Sequence, residues 1–131
     1  MTAAEGLVVD ASVIVELVIA GEKSRLCREA VAGRSLHAPG HLDVEVTSAL
    51  ARLERASLLT RPRAGRALED FLRAPVQRYD LPDLLNDAWS LRKTLRVTDA
   101  LYVSLAERLG MQVLTVDARL TRATPRAVLP G

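Results

Sequence analysis

A single cysteine, Cys27, stands in a chain of 131 residues. An internal disulfide and a zinc site built from several thiolates are therefore excluded. Aromatic side chains are equally scarce at 3%, so nucleobases would find few platforms to stack on. The seven glycines contain no G-x-G pair, which removes both a dinucleotide fingerprint and a phosphate loop. No apolar run approaches the roughly 20 residues of a membrane span. The start of the chain, Met1 to Gly6, has no basic stretch ahead of an apolar one. Neither a secretory leader nor a membrane partner is expected, and the chain is expected to be cytoplasmic.

Lysine is scarce as well. Lys23 and Lys93 are two of eighteen basic residues, and the other sixteen are arginine. Against sixteen acids this leaves a net charge of +2, too small for an indiscriminate polyanion binder. The planar guanidinium nevertheless suits phosphate, although an arginine-rich coding bias would yield the same count. Apolar residues at 49% and charged residues at 26% are ordinary for a globular chain. At about 150 residues per domain, one domain over residues 1–131 is expected.

Two short, β-branched runs stand out. Leu7-Val8-Val9 stops at Asp10, and Val113-Leu114-Thr115-Val116 stops at Asp117. Both read as strands buried on two faces. Weaker strands are expected at Ser35–Ala38, Val76–Tyr79 and Ala127–Leu129. Between them the pattern is helical: Val13–Ile19, Glu22–Ala32, and a longer helix from His41 on which Leu42, Val46, Leu50 and Leu53 share a face. Thr60-Arg61-Pro62 marks a capped start, with that helix running to about Leu72. Leu84, Leu85, Ala88, Leu91 and Leu95 mark another, and the last runs from Thr98 to Leu109 with Gly110 as its stop. Strands alternating with helices imply an α/β three-layer sandwich around a mostly parallel sheet.

In such sheets ligands bind beyond the carboxyl ends of the strands, where Asp10 and Asp117 are placed. Each could equally cap the helix that follows. Glu45 borders the apolar face of its helix and needs a partner there, whereas Glu54 falls on the wet side. Asp99 occupies a first helical turn, favourable for any anion. If the four converge they repel one another and raise each other's pKa, a conflict that a divalent cation resolves. Oxygen ligands without His or Cys suit Mg²⁺, or Mn²⁺, and such sites cleave phosphodiesters.

Other chemistries fit less well. Asp10-Ala11-Ser12 lacks the second aspartate of a haloacid-dehalogenase-like phosphatase, and no lysine follows Lys93 to serve a receiver-type phospho-acceptor. His37 and His41 are separated by the Pro39-Gly40 breaker. Ser12 has no histidine base in pattern.

Val8-Val9-Asp10-Ala11-Ser12 and Val44-Glu45-Val46-Thr47-Ser48-Ala49-Leu50 resemble the first two acidic motifs of PIN-domain nucleases. Thr98-Asp99-Ala100-Leu101 and the run to Glu107 resemble the third, and Leu114-Thr115-Val116-Asp117-Ala118-Arg119-Leu120 the fourth. The match spans nearly the whole chain and is most similar to VapC toxins of VapBC toxin–antitoxin pairs. The resemblance implies a PIN-like fold and a Mg²⁺-dependent endoribonuclease whose acids are Asp10, Glu45, Asp99 and Asp117. Ser12 matches the family's hydroxyl near the metal, and Thr98 a supporting position. It also implies an RNA substrate, a homodimer, and inhibition by a VapB-type antitoxin whose tail covers the acidic pocket. Arg119 and Arg122 are candidates for the RNA backbone. No family pattern is visible from about Thr60 to Arg78. The competing reading is a catalytically silent PIN-like module that binds RNA or a protein.

Overall fold

The computed structural model describes residues 5–131. The first four residues, on which the expected absence of a leader partly rests, lie outside the described residues.

Five strands form one sheet: β1 (Leu7–Val9), β2 (Leu36–Pro39), β3 (Val76–Tyr79), β4 (Val113–Leu114) and β5 (Ala127–Val128). Every pairing is parallel, in the order β3-β2-β1-β4-β5. Strand β1 is thus central, and Val8 and Val9 are fully buried. A strand with sheet on both sides and helices on both faces has no wet side, hence its uninterrupted apolar sequence. The chain first builds outward from β1 through β2 to β3, then returns to add β4 and β5 on the opposite side. This reversal makes the carboxyl ends of β1 and β4 the topological switch point, where a crevice opens.

The helices are α1 (Ala11–Ile19), α2 (Ser24–Val31), α3 (Leu42–Arg55), α4 (Arg61–Arg73), α5 (Pro82–Ser90), α6 (Val97–Leu109) and α7 (Ala118–Ala123). They complete a three-layer α/β/α arrangement, as expected. Helix α6 packs against β1, β2 and β4 and carries α5, while α1, α3 and α4 pack on one another. Ala100 to Ala106 are buried without interruption in α6, which makes it the most enclosed helix. It ends at Gly110 in the left-handed region, φ 66°, where a side chain would be strained. Thr60 caps α4, its hydroxyl accepting from the Arg63 amide at 3.3 Å. Among the described residues no helix is long and apolar enough to cross a membrane.

Two expectations need correction. Leu91 and Leu95 are not helical: α5 stops at Ser90, and the amides of Thr94 and Leu95 both bond back to the Leu91 carbonyl in a turn. Leu95 is still buried, because apolar spacing records which side chains point inward and not how the backbone gets them there. Strand β4 is also shorter than Val113–Val116. Thr115 retains one ladder bond, its amide donating to Val128 at 3.0 Å. Its hydroxyl then accepts from the Asp117 amide at 3.0 Å, a local turn that competes with continued pairing.

Candidate active site at the sheet switch point

Asp10 follows β1 directly, and its amide donates to Leu114 on β4 at 3.2 Å. The backbone that carries the carboxylate is therefore fixed by the sheet. Oδ1 accepts from Ser12 Oγ at 2.5 Å and from the Val13 amide at 3.3 Å. Asp10 is thus the cap of α1 as well as a strand-end acid, so both readings of it hold. The residue is only 8% exposed. Burial pushes its pKa up to about 6, against the opposing pull of the Ser12 and Thr115 hydroxyls and the Val13 amide. No other carboxylate contributes to that rise. The mutual repulsion expected from the sequence is thus not what perturbs Asp10; loss of water is.

Ser12 ties the two strand ends together. Its Oγ accepts from the Val116 amide at 3.1 Å and lies 3.4 Å from Thr115 Oγ1. Thr115 is fully buried and in turn holds the Asp117 amide. Asp117 caps α7, Oδ1 accepting from the Arg119 amide at 2.9 Å. The Arg119 guanidinium donates to both carboxylate oxygens, at 3.2 and 2.8 Å. This two-pronged contact holds the Asp117 pKa below its ordinary value.

The other two acids come from helices. Glu45, in the first turn of α3, accepts from the Tyr102 hydroxyl at 2.6 Å. Burial, reinforced by this bond to a carboxylate, drives the Tyr102 pKa far upward, so the phenol remains a donor. His41 stacks on Tyr102 with ring centroids 4.6 Å apart. Its Nε2 donates to the Thr98 carbonyl at 2.9 Å and lies 3.5 Å from Glu45. Tyr102 and His41 together fasten the start of α3 to the start of α6. There Asp99 accepts from Arg96 Nε at 3.2 Å.

All four expected acids line one cleft of about 410 Å³. Ser12 lines it too, while Thr98 lends only its carbonyl, to His41, and its side chain lies outside the wall. Arg119 is spent on Asp117, and Arg122 is exposed on α7. Among the described residues, no three His, Cys, Asp or Glu side chains close around a common point. His37 bonds to Tyr79 and Ser35, away from His41.

Sequence reasoning missed Tyr102, Arg96, Arg52 and Glu16 in this cleft. Glu16 had a visible signal, since Ser12, Val15 and Glu16 share one face of α1 by spacing. Tyr102 had none, because it sits 57 residues from Glu45.

The sequence profile of the PIN domain family matches residues 7–124. Ribonuclease VapC3 of Mycobacterium tuberculosis is 48% identical over 124 residues, covering 94% of this chain and 90% of that protein. Among solved structures, PAE2754 from Pyrobaculum aerophilum superposes with a TM-score of 0.69 at 23% identity, over 95% of this chain and 83% of that one. A chain of a toxin–antitoxin complex from Klebsiella pneumoniae superposes with a TM-score of 0.68 at 16% identity, over 96% of this chain and 98% of that one. At these identities the two structures speak to the fold.

Proposed function

Because this chain belongs to the PIN domain family and, within it, to the VapC ribonucleases, we propose that it is a metal-dependent endoribonuclease acting as the toxin of a toxin–antitoxin pair. Residues 1–131 act as one PIN-like domain. The observation that carries the reading is the convergence of Asp10, Glu45, Asp99 and Asp117, from four separate elements, on one cleft at the sheet switch point.

The donor chemistry fits a hard divalent cation. Every candidate ligand is oxygen, and the most buried, Asp10, has no basic partner to offset its charge. Asp10 and Asp99 would be the principal ligands of Mg²⁺, or Mn²⁺, with Glu45 and Asp117 binding directly or through water. When bound, the ion activates water and stabilises charge on the phosphate during in-line cleavage. The chain's own residues prepare the site. Ser12 and Thr115 set the distance between the two strand ends, and Tyr102 orients Glu45. Arg96 and Arg119 neutralise Asp99 and Asp117, and their planar guanidiniums beside these acids would suit the phosphates of an RNA backbone. Ser12 supports the ion site from α1, and Thr98 supports it through the carbonyl that anchors His41. Arg122 is a further backbone contact on α7. A VapB-type antitoxin whose tail covers the acidic cleft is the partner, the working state is a homodimer, and the setting is the cytoplasm.

A silent RNA- or protein-binding module is the second reading. It draws support from the two arginine–carboxylate pairs, which balance two of the acids without any ion. Incubating the purified protein with mixed cellular RNA, with Mg²⁺ and then with chelator, separates the two. Cleavage that requires Mg²⁺ and is lost in Asp99→Asn is expected; intact RNA under both conditions would overturn the nuclease reading.

A further inference from the structure

Charge in this chain is segregated. Residues 52–66 hold Arg52, Arg55, Arg61, Arg63 and Arg66 against Glu54 alone, a net +4, so the remainder of a chain whose total is +2 carries −2. A coding bias toward arginine would spread guanidiniums along the sequence and would not leave the rest of the molecule acidic. The segment is the corner where α3 turns into α4, and the two helices pack on each other.

The corner begins inside the cleft. Arg52 lines the cleft together with Glu45 and Ala49 of α3. It stands seven residues beyond Glu45, about 10 Å along the helix. Arg55 follows on the same helix, and Arg61 and Arg66 line a groove of about 440 Å³ on α4 in which Glu69 is the one acid against two guanidiniums. Arg52, Arg55, Arg61 and Arg66 are exposed, and none is paired with a carboxylate among the described residues. Arg63 alone is committed, donating to the Ile19 carbonyl at 2.8 Å. That bond pins the start of α4, the helix that carries Arg61 and Arg66, to the end of α1.

Four exposed, unpaired guanidiniums repel one another, and a polyanion relieves that repulsion. The segment contains no aromatic residue, so it has nothing on which to stack or sort bases. What it offers is phosphate recognition without sequence readout. We infer that the α3–α4 corner holds the RNA backbone outside the acid-lined cleft, with Arg52 at the junction and Arg55, Arg61 and Arg66 carrying the strand onward. The inference rests on the ribonuclease reading, and it assigns a role to the stretch after Thr60 where no family pattern is visible.

Equilibrium binding of a mixed-sequence single-stranded RNA tests it. The full chain carries Asp99→Asn throughout, so that RNA is not consumed, and salt is varied from about 50 to 200 mM. Adding Arg55→Gln, Arg61→Gln and Arg66→Gln should flatten the slope of log affinity against log salt by about 2, at roughly 0.7 per lost phosphate contact on a single strand. Each single substitution should flatten it by about 0.7, which keeps the test decisive if the triple variant folds poorly. Removing the same charge elsewhere, by Arg28→Gln, Arg34→Gln and Lys93→Gln, should leave the slope near that of the parent. Equal slopes in the two triple variants would overturn the inference. So would an unchanged RNA slope accompanied by weakened binding of the antitoxin, which would make the corner a protein surface. If wild type cleaves RNA with Mg²⁺ but the slopes do not separate, only this inference fails. If the parent does not bind RNA even at the lowest salt and wild type does not cleave it, the ribonuclease reading fails with it.

Discussion

Replacing Asp10 by asparagine should stabilise the metal-free protein at neutral pH, and the gain should vanish in acid. The Asp10 carboxylate is raised from an ordinary 3.8 to about 6 by burial. At about 1.4 kcal/mol per tenfold change in proton affinity, its charged form costs the fold about 3 kcal/mol. Below pH 3.8 the folded and unfolded chains both hold the proton, and Asp10 imposes no penalty. Between 3.8 and about 6 the unfolded chain has released it while the folded chain keeps it. Unfolding then releases a proton, so stability falls as pH rises through this window, and above it the whole penalty is present. Asparagine retains the oxygen that accepts from Ser12 and the Val13 amide but carries no charge. Its NH₂ must find an acceptor beside Thr115, which lowers the net gain. Urea unfolding of both proteins in chelator, from pH 4 to 7.5, gives the difference directly and cancels carboxylates common to both. That difference should shift toward the variant by up to about 3 kcal/mol as pH rises, and thermal midpoints should separate by several degrees. A difference that stays constant with pH, or moves toward wild type, would refute the claim that a buried, unpaired charge sits at the end of β1.

Three further outcomes follow from the same geometry. Magnesium at about one hundred times its dissociation constant should add roughly 2.7 kcal/mol to wild type and much less to Asp99→Asn; equal melting shifts in the two proteins would remove Asp99 from the ion site. Tyr102→Phe deletes the hydroxyl that holds Glu45 at 2.6 Å and should cost about 1–2 kcal/mol of stability; it should also lower kcat more than it raises KM, so wild-type kcat in a correctly folded variant would show that Glu45 needs no such support. Thr60→Ala removes the cap of α4 and should cost about 1 kcal/mol by denaturant unfolding, without changing cleavage of a short substrate confined to the cleft.

Much of the architecture is local and was therefore legible before the structure. Leu7-Val8-Val9 can only be satisfied between two strands and beneath helices, which is where it lies. Thr60-Arg61-Pro62 and Gly110 carry helix boundaries in their own backbone chemistry, and the helix ends fall there. Asp10 and Asp117 at strand ends, and Glu45 on the edge of an apolar face, drew notice because a carboxylate there is costly without a use. Asp99, in a first helical turn that favours any anion, stood out only beside the other three and through the motif resemblance. Periodicity failed where inward-facing side chains ride on turns, as at Leu91 and Leu95. Composition overran the strand where a threonine hydroxyl offered the backbone an alternative to the ladder, as after Leu114.

What only the tertiary structure decided is which groups meet. Ser12 reaches Thr115 across 103 residues and Tyr102 reaches Glu45 across 57, distances that no local pattern encodes. The choice of arginine partners for Asp99 and Asp117, and the isolation of Asp10 from any base, follow from where α6 and α7 begin relative to the sheet. The cause of the Asp10 shift belongs here too: the sequence shows four like charges and invites repulsion, whereas packing removes water from one of them and supplies counter-charges to others. Residue identity determines how a side chain can behave, but its free energy depends on neighbours that the strand order β3-β2-β1-β4-β5 brings into contact.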